Sequence, residues 1–400
     1  MRLLAMVLIA LSSAAVAQAS PVEGLVFADT NGDGLPSRGE SPVAGAVVAF
    51  ETSQFVVTSA TGTFALDLPA RATGIAWVRV PDGYVPGPVW TRVDGKDRLD
   101  IGLRPLPAQV RGPLTFIVTA DTHVAGWQPF YADLEGVVAD ATAIEPAPAF
   151  FTILGDITQG NQPAEFDLVD AALRSLTVPY IPVPGNHDWY DGGATWRARY
   201  GPDNYSFDIG RVHFVVWNMA MSEHDIARYL GAELKLVDAG MTVVALTHAP
   251  PSPKVITVLD QLGVDYLMTG HTHSNRMVDH GGLIEVTTEP LMMGGLDYTP
   301  AGYRVVTIEG GALGSYHRTV IDQPHLEVVA PARGQCAALA GGELLVAAEL
   351  DGGSAQVTAH LDCGSELTLR YVGGWTWRAE LPGLTAGAHT IVVDARSPSG

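Results

Sequence analysis

The chain has 400 residues, 47% of them hydrophobic and 16% charged, with glycine and proline spread throughout. That length exceeds what one hydrophobic core usually organises, so two or three domains are expected, and the composition is that of a folded, loop-rich protein. Forty-three acidic against 23 basic residues give a formal charge of -20, which argues against a nucleic-acid duplex as partner, since that needs a basic footprint. An anionic substrate would then need local positive charge, and metal ions are often the largest local charges in a site.

Arg2 is followed by an apolar run from Leu3 to Leu11, then by Ala17-Gln18-Ala19 before Ser20-Pro21. This is the layout of a secretory signal peptide over residues 1–19, so the protein is expected to be exported, to the periplasm or beyond the cell. The apolar run is too short for a spanning helix of about 20 residues. The alternative is an uncleaved anchor, and no later segment reads as membrane-spanning. The two cysteines, Cys336 and Cys363, fall near the C-terminus. In an exported protein such a pair reads as a disulfide, the alternative being two independent buried thiols.

Residues 20–105 read as a small β-sandwich module: short runs rich in Val, Phe and Ile (Gly24–Phe27, Ala44–Phe50, Phe55–Thr58, Phe64–Leu68, Ile75–Val80) are separated by Gly, Pro and Asp. Between the first two runs lie Asp29, Asn31, Asp33, Gly34 and Glu40. Their spacing satisfies the calcium-loop pattern of oxygen ligands with a glycine at the sharp turn. The flanks are strand-like, so no EF-hand is expected. The segment resembles the calcium-binding β-sandwich modules of bacterial surface proteins, which implies a structural calcium; a solvated turn with no ion is the alternative.

A proline-marked linker, Pro105 to Pro113, precedes a change of rhythm. Strand runs at Leu114–Ala120, Ala149–Leu154, Val178–Val183, Met241–Leu246 and Asp265–Met268 alternate with helical segments at Phe130–Ala143, Pro163–Leu176 and Ser222–Asp238. A β pair at Tyr205–Phe207 and Val212–Trp217 interrupts them, and strands return after Gly281. Strand and helix in alternation predict an α/β core with helices on the sheet faces. From residue 325 to 400 the chain reads again as strands and turns, an immunoglobulin-like β domain in which no chemistry suggests itself.

The polar residues of the core gather at strand ends. Asp121 and His123 follow the first strand, Asp156 the second, Asn186, His187 and Asp188 the third, His248 the fourth, and His271 and His273 the fifth. If the strands are parallel, these side chains converge on the carboxyl edge, where α/β sheets bind ligands. Asp, Asn and neutral His together suit zinc, iron or manganese. Seven candidate ligands are too many for one catalytic ion and suit two.

In order and type, Asp121-x-His123, Gly155-Asp156, Gly185-Asn186-His187-Asp188, His248 and Gly270-His271-x-His273 match the five-block signature of the calcineurin-like metallophosphoesterases. The chain resembles that superfamily over residues 112–320. The resemblance implies a pair of central sheets in a four-layer α-β-β-α sandwich, with a dinuclear metal site. Asp121, His123 and His273 would hold the first metal, Asn186, His248 and His271 the second, and Asp156 would bridge them. His187 would be no ligand but would assist the leaving group, while a metal-bridging hydroxide attacks the phosphorus. Asp188 would orient neighbouring groups or serve only the turn. Relatives that resemble purple acid phosphatases place Tyr three residues after the bridging Asp, and protein phosphatases place Asp there; here the residue is Gln159. That puts the chain closer to the bacterial cyclic-nucleotide and general phosphodiesterases, and the three-part layout is similar to exported bacterial members.

The expected function is hydrolysis of a phosphate diester or monoester, the substrate being a small-molecule, lipid or sugar phosphate ester. Trp189, Tyr190, Trp196, Arg197, Tyr200 and His224 fall in segments that would line the cleft and could hold a phosphate or stack on a base or sugar, ordinary loop packing being the alternative for each. The alternative is a surface binding or adhesion protein whose phosphoesterase domain is vestigial.

Overall fold

The computed structural model describes residues 20–69, 72–107, 112–126, 130–144, 147–291, 294–297, 299, 301–319, 325–331, 342–349, 356–362, 364–373 and 376–396. The expected signal peptide, Cys336 and Cys363 lie outside the described residues.

Alternation along the first core strands sets the layers of the molecule, because successive side chains of a strand point to opposite faces. In β8 (Leu114–Thr119), Phe116 and Val118 enter one buried cluster and Ile117 another. In β9 (Phe151–Leu154), Leu154 joins the first cluster and Phe151 and Ile153 the second. Two faces are therefore buried against different partners. The second cluster is shared with α1 (Phe130–Thr142) through Leu134, Val137 and Val138, and with α2 (Pro163–Ala172) through Phe166 and Val169. α2 starts at Pro163, and Glu165 closes its first turn by accepting from the backbone N–H groups of Gly160 (2.8 Å) and Gln162 (3.1 Å).

The first cluster faces a second sheet. Its aromatic centre is Phe116, Phe150, Phe207 and Phe214: Phe116 stacks on Phe150 with ring centroids 4.7 Å apart and meets Phe214 edge-on at 5.3 Å. The sheet containing β8 and β9 also holds β10 (Tyr180–Val183), β17 (Gly302–Glu309) and β18 (Ala312–Thr319), in the order β10-β9-β8-β17-β18. The facing sheet is built from β11 (Tyr205–Ile209), β12 (Val212–Val216), β13 (Thr242–Leu246), β14 (Tyr266–Thr269), β15 (Arg276–Asp279) and β16 (Ile284–Thr287), ordered β11-β12-β13-β14-β16-β15. A short helix, α3 (Ala194–Arg199), precedes β11, and α4 (Glu223–Glu233) and α5 (Pro253–Gln261) pack on this second sheet through Ile226, Tyr229, Leu230, Val255 and Leu259. The order helix, sheet, sheet, helix is the four-layer core that the family resemblance implies.

The strands β8, β9 and β10 are parallel, as are β12, β13, β14 and β16. The condition under which the strand-end residues meet is thus fulfilled in both sheets.

All-β regions lie on either side. The N-terminal one contains β1 (Ser20–Ala28), β2 (Val47–Phe50), β3 (Gln54–Val57), β4 (Thr63–Leu68), β5 (Ile75–Arg79), β6 (Val89–Arg92) and β7 (Arg98–Leu103). They form sheets β4-β1-β7 and β3-β2-β5-β6. The strands β6 and β7 were not expected from the sequence; β7 pairs parallel to β1, Gly24 opposite Leu99. The C-terminal region contains β19 (His325–Ala330), β20 (Gly342–Glu349), β21 (Gln356–Leu361), β22 (Ser365–Leu367), β23 (Arg370–Gly373), β24 (Thr376–Leu381) and β25 (Ile391–Arg396), in antiparallel sheets β19-β20-β24-β23 and β22-β21-β25. The stretch Leu367–Tyr371 is divided between the two sheets, Leu367 ending β22 and Arg370 opening β23. Among the described residues no helix is long and apolar enough to cross a membrane.

Candidate metal centre

The segments after β8, β9, β10, β13 and β14 close on one another at the carboxyl ends of the two sheets. His123 Nε2 lies 3.8 Å from Asp121 Oδ1 and 3.7 Å from Asp156 Oδ2. His248 Nε2 lies 3.2 Å from Asp156 Oδ2, and His273 Nε2 3.3 Å from Asp121 Oδ1. His271 Nδ1 faces His248 Nε2 at 3.1 Å. Three triads hold their ligand atoms within 4.8 Å of one another: Asp121, His123 and His273; His123, Asp156 and His187; Asp156, His248 and His271. The six predicted Asp and His ligands therefore meet in one place, in two groups with Asp156 between them. Asp121 Oδ1 also approaches the second group, 3.9 Å from His248 Nε2, so both carboxylates stand between the imidazoles.

The backbone adopts unusual geometry to bring this about. Asp121, His123, Asp156, His271 and His273 all have left-handed φ, between 42° and 65°. For a residue with a Cβ this region costs about 1 kcal/mol or more and persists only where the surroundings impose it. Two glycines make room. A Cβ on Gly155, whose φ is +81°, would come within 2.5 Å of His248 Nδ1, and one on Gly185 within 2.1 Å of the Asp156 amide nitrogen.

Hydrogen bonds fix the orientation of the donors. His248 Nδ1–H donates to Leu154 O at 2.7 Å, which leaves Nε2 toward the centre. His187 Nδ1–H donates to Gln159 O at 2.6 Å, and the His187 amide donates to Asp156 Oδ1 at 2.8 Å. The carboxylate of Asp188, fully buried, accepts from the amides of Ile157, Thr158 and Gly185 and from the Thr158 hydroxyl, all at 2.9–3.0 Å. It ties the loop carrying Asp156 to the loop carrying Asn186 and His187. Of the two roles open for Asp188 in the sequence, the orienting one matches these contacts.

Burial and mutual attraction shape the electrostatics. Burial works against ionisation of Asp156, but the neighbouring His248 and the His187 amide outweigh it and hold the carboxyl down at about 2. Burial also disfavours charge on His248, yet Asp156 and Asp121 raise its imidazolium to about 9. Burial lowers His123, and burial together with the charge of His248 lowers His271, while the hydrogen bond to Asp121 raises His273. Burial and the charge of Asp156 push Asp188 up to about 6.

Several buried donor atoms here have no hydrogen-bond partner among the described residues, namely both ring nitrogens of His123 and Asn186 Oδ1, while Asp121 Oδ1 is met by His273 Nε2 at 3.3 Å. Orphaned polar atoms are costly inside a protein. Nitrogen and oxygen donors left open around two carboxylates are what a pair of borderline transition-metal ions would satisfy. The residues present fit such a group.

Residues 114–275 match the family model for calcineurin-like phosphoesterases. This segment is a calcineurin-like phosphoesterase domain. The match lies inside the stretch of resemblance read from the sequence and contains all seven predicted ligands and His187. The family is one of metal-dependent phosphoester hydrolases, and its members share a His/Asp cluster suited to a dinuclear centre. No curated protein matches the chain in sequence. Among solved structures, the purple acid phosphatase PPD1 from yellow lupin (Lupinus luteus) seeds aligns over 70% of this chain and 68% of its own, at 14% identity and a TM-score of 0.42. GAP50, the anchor in the inner membrane complex of Plasmodium, aligns over 53% of this chain and 86% of its own, at 12% identity and a TM-score of 0.41. Phosphopantetheinyl hydrolase from Mycobacterium tuberculosis aligns over 45% and 91%, at 13% identity and a TM-score of 0.31.

The six cleft candidates of the phosphoesterase domain separate clearly. Trp196 is fully buried, and Trp189 and Tyr200 pack against the cluster beneath α1 and α2. Arg197 is held by Glu51 at 2.5 Å and Asp203 at 2.6 Å. His224 lies exposed in the first turn of α4. Tyr190 alone among them is in ring contact with a residue of the centre, His187.

The acidic loop of the N-terminal region lies apart from this centre. Asp29 accepts from the amides of Gly32 (2.7 Å) and Gly34 (3.0 Å), Asn31 Oδ1 from Asp33 N (2.9 Å), Asp33 Oδ1 from Leu35 N (2.8 Å), and Glu40 from Thr30 N and Ser37 N (both 2.9 Å). These side chains accept from the amides of their own loop.

Proposed function

We propose that the protein is an exported hydrolase of phosphate diesters or monoesters. Asp121, His123 and His273 would hold one metal ion, Asn186, His248 and His271 a second, and Asp156 would be shared between them. The observation that carries this reading is the convergence of three Asp and His triads around Asp121 and Asp156, with the ring nitrogens of His123 and Oδ1 of Asn186 buried and without a hydrogen-bond partner among the described residues. When bound, manganese, iron or zinc ions supply positive charge for the phosphate oxygens and acidify a water into a nucleophile.

The chain's own part is positional. Asp188 holds the Asp156 and Asn186 loops in register, and Leu154 O and Gln159 O set the tautomers of His248 and His187. With Nδ1–H engaged by a carbonyl, His187 presents its other nitrogen to the phosphate. There it can stabilise the departing oxygen or, once protonated, give it a proton.

The test uses protein purified with each metal and assayed on nitrophenyl phosphate mono- and diesters. Asp156→Ala and His271→Ala are expected to abolish hydrolysis; full activity in either sinks the dinuclear assignment. His187→Ala should keep its metal and lose turnover, whereas Asn186→Ala should lose metal as well. Sequencing the mature N-terminus checks export: a start at Ser20 is expected if residues 1–19 are a cleaved leader.

A further inference from the structure

Tyr190 stands exposed beside the metal centre, in ring contact with His187. It follows directly on the Asn186–Trp189 turn, yet 61% of it is exposed, while its neighbour Trp189 packs inward with Gly193 against its ring. The ring centroid lies 5.2 Å from that of His187, at an interplanar angle of 51°. His187 in turn meets His123 edge-on at 4.6 Å. The series Tyr190, His187, His123 thus runs from solvent into the centre, with an exposed aromatic face at its outer end. A second exposed apolar side chain, Leu296, 80% exposed, stands on the other flank, where its amide donates to His273 O at 2.6 Å.

We infer that Tyr190 is a specificity-determining residue whose ring stacks on a planar leaving group, so that the preferred substrates are phosphate esters of aryl, arylmethyl or nucleoside type. The inference rests on the proposed hydrolysis and on the placing of His187 beside the departing oxygen. The group attached to that oxygen would extend past His187 toward solvent, the side on which the exposed Tyr190 ring lies against His187. A planar π-face gains offset or edge contacts with tyrosine that a saturated ring of equal size cannot make, and such contacts are worth about a five- to tenfold preference. Aromatic stacking needs no particular hydrogen-bond pattern, so it selects a class of leaving group and not one compound.

The test compares benzyl phosphate with cyclohexylmethyl phosphate, each as the monoester and as the methyl diester, by release of the corresponding alcohol from metal-loaded protein. The same comparison is made for binding, with the non-hydrolysable 2-phenylethylphosphonate and 2-cyclohexylethylphosphonate followed by calorimetry. Wild type is expected to favour the planar member of each pair about five- to tenfold. Tyr190→Phe should retain that preference and Tyr190→Ala should reduce it to near unity, with unchanged metal content in both. Hydrolysis of both esters with no preference, or a preference that survives Tyr190→Ala or disappears only in Leu296→Ala, overturns the inference. Absence of hydrolysis from every ester, with the binding preference intact, instead counts against the proposed reaction and leaves the role of Tyr190 standing.

Discussion

Arg79, from the N-terminal β region, ends inside the phosphoesterase domain, where its guanidinium pairs with Glu233 and donates to Glu233 O at 2.7 Å and Leu236 O at 2.8 Å. In the C-terminal β region the buried side chains, Leu344, Val346, Ala359 and Leu381 among them, close on one another in a cluster of their own. The contrast continues through the apolar residues. One buried cluster runs without interruption from Val26 and Trp77 of the N-terminal sheets to Tyr229 and Leu230 of α4, and Phe55 stacks on Tyr229 at 6.2 Å. Strand contact adds to it: Val80 bridges Phe207, and the Asp208 amide donates to Val80 O at 2.8 Å. The N-terminal region is therefore part of the core that carries the metal centre, and the C-terminal region has the makings of an independent folding unit.

Removal of each region should show this difference most strongly. A chain lacking residues 20–105 is expected to be insoluble or to unfold without a cooperative transition, because the apolar face of α4 would be stripped. A chain ending at residue 320 should stay soluble and retain its full complement of metal, read by elution volume and metal analysis. Equal tolerance of both deletions would break the comparison.

The buried ion pair gives the next largest effect. Arg79→Ala leaves Glu233, fully buried, with one charge partner fewer, and removal of one member of such a pair costs about 3–5 kcal/mol. Denaturant unfolding of the full chain measures it. Arg79→Met, which keeps the stem without the charge, should lose a similar amount unless Glu233 is replaced by Gln as well.

The same network predicts a pH dependence. His213, buried, holds Glu233 at 3.1 Å through one nitrogen and Asp208 at 2.7 Å through the other. Burial disfavours its charge, but the two carboxylates outweigh that and raise it above 6.5. Burial likewise opposes ionisation of Glu233, and His213, Arg79 and Ser206 bring it down from 4.5 to about 2. The Glu233 contribution is present above about 4.5 and fades as pH falls toward 2, and the His213 contribution is complete below 6.5 and fades as pH rises through its raised value. Melting curves of wild type and His213→Gln should therefore differ most between about pH 4.5 and 6.5 and converge on the alkaline side. A difference that grows with pH would reverse the sign and remove His213⁺ from the account.

Val346→Ala should have the smallest effect on function. It opens a cavity in the C-terminal cluster worth about 1–3 kcal/mol locally. Calorimetry should show one transition lowered, with metal content and hydrolysis unchanged.

The site was largely legible in the sequence because its chemistry sits at five strand ends in a fixed order, each a short polar break after an apolar run. The strand and helix rhythm also located the core elements, but it could not distinguish one sheet from two. That choice depends on pairings between distant segments, such as Val305 with Ile117 and Leu246 with Met268, and no local pattern encodes them. The rhythm likewise passed over β7, although Leu99, Ile101 and Leu103 alternate as a half-buried strand should, because Asp100 and Gly102 read as turn residues. Arg79 and His213 were each a charged or titratable residue inside an apolar run. That was a signal of buried pairing, but the partner Glu233 lay on a helix some 20 residues away from the nearer of them. The role of Gln159 in holding His187 was invisible for a different reason: its carbonyl makes the contact, and every residue has one.

The left-handed backbone at Asp121, His123, Asp156, His271 and His273 has a consequence for how this sequence can drift. Glycine would relieve that conformation at each position, and asparagine would ease it, so random substitution there has an easy route to a more stable chain. A domain released from chemical duty and kept only as a spacer between β regions would be free to take that route. Side chains stand at all five positions at a backbone cost of about 1 kcal/mol or more each.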